Sequence, residues 1–257
     1  MIDMAVKPKP TLKQLVFLAQ NRIEAALNNH GAAKSCVSCS FGKDSMVVLH
    51  LVRVYAPDIQ VMFNNTGVEY PDTLKFRDRI LKEWDLNYTE VHPKKTFWEL
   101  KDKYGWPDRR FDGKKGQHTV PCYHYLKELP AAEFWAKEKI QLVFDGLTAS
   151  ESHARWMLAY RCGGGPYYYA RSIGVYKSHP ILDWPADIVG KYIKRYNVLV
   201  NPHYTKFPDQ RVGCMSCTGF LDWRENMAKA FPAMYRKIQK ERGQKLLEEY
   251  AAEVSKL

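Results

Sequence analysis

Ser40-Phe41-Gly42-Lys43-Asp44-Ser45 separates two stretches of different texture. Before it, Lys34 to Ser40 is short, small and partly apolar, as a strand is. After it, Asp44 to Tyr55 carries Met46, Val47, Leu49, His50 and Val52 at helical spacing. A strand that turns straight into a helix leaves the first N–H groups of that helix unpaired, and together with the helix dipole they favour an anion. Gly42 permits the tight turn, Lys43 adds a point charge, and Ser40 and Ser45 offer hydroxyls to phosphate oxygens. The glycine and lysine spacing is not that of a Walker loop.

Working outward, strand and helix patterns alternate. Thr11 to Asn28 is a leading helix ending near Asn28-Asn29-His30-Gly31, and Ile59 to Asn64 is a second strand. Pro71 to Trp84 reads as a helix with proline near its start, Asn87 to Val91 as a strand and Thr96 to Tyr104 as a helix. Tyr123 to Lys139 is a helix interrupted at Pro130, and Gln141 to Asp145 a buried strand running into Gly146. This alternation predicts an α/β fold, an open, mainly parallel sheet with helices on both faces. Arg161 to Pro180, rich in Gly, Tyr and Arg, reads as loops or a short ribbon over the sheet, and Asp187 to Tyr196 as another helix. Beyond Asn201 the prolines 202 and 208 break the pattern, and helices resume from about Asp222. The expected division is a nucleotide-binding domain over 1–205, with a cysteine loop and helical extension over 206–257 packed on the same core.

The 257 residues suffice for one full core. No apolar run approaches the roughly 20 residues of a membrane span, and Met1-Ile2-Asp3-Met4 lacks a signal peptide's apolar core, so the expectation is a cytoplasmic chain with no membrane partner. Lys and Arg number 39 against 28 Asp and Glu, a net charge of +11. That excess attracts polyanions or anionic nucleotides, and it equally describes a solvated surface rich in lysine. Six cysteines without an export signal point to reduced thiols, metal ligation or catalysis.

Four ordered stretches carry a resemblance. Ser40 to Ser45 resembles the Ser-Gly-Gly-x-Asp-Ser pyrophosphate loop of the ATP pyrophosphatases, with Phe41 in place of the first glycine. Asn64-Asn65-Thr66-Gly67-Val68-Glu69-Tyr70-Pro71-Asp72-Thr73 is similar to the Asp-Thr-Gly-x-x-Phe/Tyr-Pro-Glu-Thr element of phosphosulfate reductases. Gly146 to Arg155 is similar to Gly-x-Arg-x-x-Glu-Ser-x-x-Arg, lacking the first arginine but keeping Arg155. Pro180-Ile181-Leu182-Asp183-Trp184 and Asn201-Pro202-His203-Tyr204 resemble the Pro-Ile-x-x-Trp and Asn-Pro-Leu-Tyr pair. The chain is thus identified as a member of the phosphosulfate reductase-like family in the PP-loop, adenine nucleotide alpha hydrolase-like superfamily.

The resemblance implies an adenine nucleotide, ATP or a phosphosulfate, held by Ser40, Phe41, Gly42, Lys43, Asp44, Ser45, Thr66, Gly67, Glu69 and Gly146, with Mg2+ neutralising its phosphates. Lys43, Asp44 and Arg155 are the expected catalytic residues. Arg155 is the main phosphate or sulfate clamp, with Arg161 and Arg171 in reserve.

Cys214-Met215-Ser216-Cys217 has a spacing that lets two thiolates grip one metal centre. In cluster-bearing relatives a Cys-Cys pair at a helix start completes a 4Fe-4S set, and Pro121-Cys122 here supplies one of that pair. The resemblance therefore implies a 4Fe-4S cluster on Cys122, Cys214 and Cys217, with the fourth position filled by Cys162, by another ligand or by nothing. A zinc site or a redox dithiol is the alternative. Cys36 and Cys39 also form C-x-x-C, but on a strand they point to opposite faces and read as buried apolar residues.

Two chemistries share such a site. A reductase attacks the sulfonucleotide with a cysteine from a C-terminal tail, and no cysteine follows Cys217 here. The resemblance then favours ATP cleavage to AMP and pyrophosphate, adenylating a nucleic-acid acceptor for sulfur insertion. DNA phosphorothioation is the nearer analogue and tRNA thiolation the next. A sulfur donor such as a cysteine desulfurase is the implied partner, and a homodimer is compatible. Tyr167-Tyr168-Tyr169 beside Arg161 and Arg171 reads either as part of a polyanion groove or as a tyrosine-rich core strand. A phosphosulfate reductase and a non-catalytic nucleotide sensor are the other readings.

Overall fold

A computed structural model describes residues 10–107, 122–161, 164–207, 212–219 and 223–254. Four short parallel strands form its centre: β1 (Ser35–Ser38), β2 (Gln60–Asn64), β3 (Tyr88–Val91) and β4 (Leu142–Phe144). Two more, β5 (Tyr167–Ala170) and β6 (Val175–Ser178), complete a sheet of order β3-β2-β1-β4-β6-β5. β6 runs parallel to β4, pairing Phe144 with Ser178, and only the edge strand β5 is antiparallel. The segment expected to lie over the sheet as loops or ribbon is therefore a hairpin built into it. Its tyrosines alternate: Tyr167 and Tyr169 are exposed, and Tyr168 between them is half-buried.

Side chains alternate across the sheet and each face acquires its own core. Val37, Val61, Phe63, Leu142 and Phe144 pack with α1 (Leu12–His30), α2 (Lys43–Arg53), α3 (Pro71–Trp84) and α7 (Ala186–Tyr196). Cys36, Met62, Val143 and Val175 face Ala131, Phe134 and Trp135 of α5 (Leu129–Lys137). The two cysteines Cys36 and Cys39 are buried in different clusters, and burial lifts their thiols to about 12 and about 11. Pro130 does not break its helix: a π turn over His124–Glu128, closed by Leu129 N–H on the His124 carbonyl, leads into α5.

The remaining helices are α4 (Phe97–Tyr104), α6 (His153–Tyr160), α8 (His203–Lys206), α9 (Trp223–Ala230) and α10 (Pro232–Val254). α6 and α8 fall where the sequence shows no helical stripe. Among the described residues no helix is long and apolar enough to cross a membrane. The strand order reverses direction at β1, whose neighbours are β2 on one side and β4 on the other. That switch point, at the strands' C-terminal edge, is where open parallel sheets bind ligands.

Candidate active site

The first wall of the site is the turn between β1 and α2. Phe41 has φ 55, the left-handed region that glycine enters without steric cost. The phenylalanine is held there by burial: its ring is fully buried and meets Phe63 edge-on at 5.4 Å. Gly42 then caps α2, and Ser45 Oγ bonds back to the Gly42 carbonyl at 2.9 Å and lies 3.2 Å from Ser40 Oγ. Lys43 Nζ folds onto the Asp44 carboxylate at 2.7 Å, so two of the three residues expected to be catalytic form an ion pair at the helix start. The Tyr204 hydroxyl accepts from Lys43 N–H at 3.4 Å, on the donor side of the turn.

The second wall follows β4. A Cβ built at Gly146 would stand 2.6 Å from Ser45 N and 2.7 Å from Asp44 C. Glycine is required at this point because the Gly146 backbone lies directly against the first turn of α2.

The third wall follows β2. Asn65 Oδ1 accepts from Gly67 N–H at 3.0 Å, Gly67 has φ 78, and Thr66 Oγ1 donates to the buried Glu69 at 2.8 Å. This loop is stitched to the cysteine loop. Glu69 and Cys214 form an isolated antiparallel bridge, Met215 N–H bonds the Val68 carbonyl at 2.8 Å, and Thr66 Oγ1 stands 3.4 Å from Cys214 Sγ. Cys217 N–H closes a turn on the Cys214 carbonyl at 3.2 Å.

Cys122, at the start of the helix that leads into α5, packs in the same apolar cluster as Cys214. Burial raises all three thiols, Cys122, Cys214 and Cys217, and neighbouring sulfurs raise them further. Lys127 sits among them. Burial works to lower its ammonium, but Cys214 and Glu69 outweigh this, and the net shift is upward. Lys127 is a member of the site that the sequence did not disclose, because nothing in a helical pattern marks a contact made only in the tertiary fold.

Among the described residues no three His, Cys, Asp or Glu side chains close around one point tightly enough for a single ion. A multi-iron cluster takes one thiolate per iron and accepts ligands set further apart, so three grouped thiols beside a cation fit it as donors. Cys162 lies outside the described residues.

Arg155, on α6, is ion-paired with Glu151 one turn earlier, and Ser152 Oγ accepts from its backbone N–H at 3.3 Å. Arg161 holds its guanidinium 5.8 Å above the Trp156 ring, and Arg171 is exposed beyond β5. Buried Asn201 ties the walls together. Its Nδ2 reaches the Phe41 carbonyl at 3.4 Å and Thr73 Oγ1 at 3.0 Å, and its Oδ1 accepts from His203 N–H at 3.0 Å.

An α/β sheet with an anion-receiving turn at its switch point defines a nucleotide-binding chain of the PP-loop superfamily. The chain belongs to the phosphoadenosine phosphosulfate reductase domain family, whose model matches residues 34–220. An uncharacterised protein of Methanocaldococcus jannaschii is 32% identical over 185 residues, which are 72% of this chain and 41% of that protein. The phosphoadenosine 5'-phosphosulfate reductase of Buchnera aphidicola subsp. Acyrthosiphon pisum is 31% identical over 192 residues, 73% of this chain and 72% of the reductase. Among solved structures, the phosphoadenylyl-sulfate reductase of Candida auris superposes with a TM-score of 0.57 at 16% identity, covering 81% of this chain and 98% of that one. The U34-tRNA thiolase NcsA of Methanococcus maripaludis, solved with its 4Fe-4S cluster, gives 0.55 at 16% identity and covers 96% of this chain and 87% of its own. At that identity the two structures speak for the fold alone.

Proposed function

We propose that this chain splits ATP to AMP and pyrophosphate in order to adenylate a nucleic-acid acceptor, which then receives sulfur. The observation that carries the reading is the seam between the cysteine loop and the nucleotide walls, where Cys214 contacts Thr66 and pairs with Glu69. Pro121-Cys122 supplies one thiol of the pair that the resemblance implies, so the grouped thiols among the described residues number three.

In this reading Gly42, Lys43 and Ser45 receive the β- and γ-phosphates, Lys43 leaving Asp44 to do so, with magnesium shielding their charge. An acceptor oxygen attacks the α-phosphorus, the bond to the bridging oxygen breaks, and pyrophosphate leaves with both electrons. Sulfide, freed from the persulfide of a donor such as a cysteine desulfurase by two equivalents of a reducing thiol that leave as a disulfide, then displaces AMP from the acceptor, with no oxidation of the acceptor itself. A 4Fe-4S cluster on Cys122, Cys214 and Cys217 would supply an iron able to hold that sulfide. Arg155 would steady the phosphate undergoing attack once released from Glu151. DNA is the acceptor proposed first, tRNA second.

The 31% identity to a phosphosulfate reductase favours a second reading, in which a thiolate attacks the sulfur of the sulfonucleotide and sulfite is later released. One experiment separates the two. Anaerobically prepared protein is assayed for iron, then given ATP and magnesium with and without DNA or tRNA, and separately phosphoadenosine phosphosulfate with a thiol. Pyrophosphate release stimulated by nucleic acid is the expected result. Sulfite release without ATP turnover would replace the proposal with the reductase, and tight ATP binding with neither product would leave a nucleotide sensor.

A further inference from the structure

Three ionisable side chains meet where β4 and β6 end. Asp145 N–H bonds the Ser178 carbonyl at 3.1 Å, extending the β4–β6 ladder by one step and bringing Asp145 between Lys177 and His179. Asp145 Oδ2 accepts from the Lys177 ammonium at 2.9 Å, and Oδ1 accepts from His179 Nδ1 at 2.5 Å. A carboxylate only accepts, so Nδ1 is the nitrogen that donates. His179 Nε2 is buried without a hydrogen-bond partner among the described residues. Burial alone would raise the Asp145 carboxyl, but His179 and Lys177 outweigh it and hold it far below the usual carboxylate range. Both neighbours thus favour the ionised carboxylate.

That charge has a third contact. Asp145 Oδ1 also accepts from Leu147 N–H at 3.2 Å, closing a turn around Gly146. Gly146 is the residue whose absent Cβ would lie 2.6 Å from Ser45 N. Ser45 N is the third N–H at the start of α2 and belongs to the set that has no carbonyl within its own helix. A shift of this turn by an ångström changes the space in front of that donor.

We propose that Asp145 is a positioning residue for the nucleotide: braced by Lys177 and His179, it fixes the Gly146 turn against the N-terminus of α2 and so sets the clearance at Ser45 N–H. The inference rests on the reading of Ser40 to Ser45 as the nucleotide cradle. A brace of purely structural value would change thermal stability and leave the affinity of the folded protein alone.

Equilibrium binding of ATP and of phosphoadenosine phosphosulfate, with Tm measured alongside, tests this on the wild-type chain, K43A, D145N, D145L and K177M. An asparagine keeps an oxygen that accepts from Leu147 N–H but gives up the charge that pairs with Lys177, so D145N weakens binding by about three- to tenfold. D145L loses that oxygen and binds at least about tenfold more weakly, which is about 1.4 kcal/mol. K177M, which leaves the turn's own hydrogen bond in place, weakens binding by about three- to tenfold and carries the test should D145L not fold. If K43A loses affinity while D145L or K177M lowers only Tm, the positioning role is wrong. If the wild type binds neither nucleotide, or K43A binds as well as it does, the cradle reading itself fails and the positioning role falls with it.

Discussion

Thr66 Oγ1 lies 3.4 Å from Cys214 Sγ, although 148 positions separate the two residues in the chain. The hydroxyl belongs to the loop after β2, which forms one wall of the proposed nucleotide crevice, and the sulfur belongs to the cysteine loop beyond α8. Their contact is flanked by the Glu69–Cys214 bridge and the Met215–Val68 hydrogen bond, so the cysteine loop is fastened to that wall by backbone pairing. The proposed site, which would both cleave a nucleotide and handle sulfur, needs this adjacency.

Gly146→Ala tests how closely the walls meet. The added methyl would stand 2.6 Å from Ser45 N and 2.7 Å from Asp44 C, both backbone atoms that cannot rotate aside. The turn must move, at a cost of about 1–3 kcal/mol. Thermal unfolding is expected to shift down by several degrees, and nucleotide affinity in the folded fraction to fall with it. An alanine variant with unchanged Tm and unchanged affinity would show that the walls are further apart than described.

Phe41→Gly separates two opposing effects at the turn. Glycine relieves about 1–2 kcal/mol of left-handed backbone cost at φ 55. It also deletes a fully buried ring, a loss of about 3–5 kcal/mol. The balance is a destabilisation of about 2 kcal/mol, readable from urea midpoints. A stabilised variant would mean that the ring contributes little and the backbone term dominates.

Much of this architecture was legible in the sequence, for reasons that also explain the misses. The β1–turn–α2 unit has a sharp change of period at Ser40 to Ser45, and Gly146 ends a strand of buried apolar residues, so both could be placed from local pattern. β6 could not: Val175-Tyr176-Lys177-Ser178 carries a lysine whose charge pairs with Asp145, just past the end of the neighbouring strand. α6 escaped notice because it exposes Trp156, Met157 and Tyr160 rather than burying a continuous stripe. Pro130 read as an interruption, since the π turn that absorbs its missing N–H leaves no mark in composition. Asn201 was visible within its motif, but its bridging of Phe41 and Thr73 exists only in the folded chain.

Acid stability follows from Glu90, which accepts from Asn65 Nδ2 at 2.5 Å, from the Tyr88 hydroxyl at 3.0 Å and from Arg77 at 2.9 Å. Burial opposes its ionisation, and these three partners outweigh the burial, so its pKa is lowered on folding. A lowered folded value means that the stabilisation is fully present above the unfolded value of about 4.3 and is lost as pH falls through the folded value. Glu90→Gln should therefore be less stable than wild type at pH 7, and the gap should narrow as pH falls below about 4. A gap that stays constant from pH 7 to pH 3 would mean that the charge on Glu90 contributes nothing.

The most direct measurement of the central claim, that nucleotide and cysteines share one site, is the rate at which Cys214 is alkylated in metal-free protein, read by mass spectrometry with and without saturating ATP. The account predicts that ATP slows alkylation of Cys214 by about tenfold or more, leaves a peptide standard unaffected, and gives no protection in K43A. Undiminished alkylation of Cys214 in protein shown to have ATP bound would contradict it.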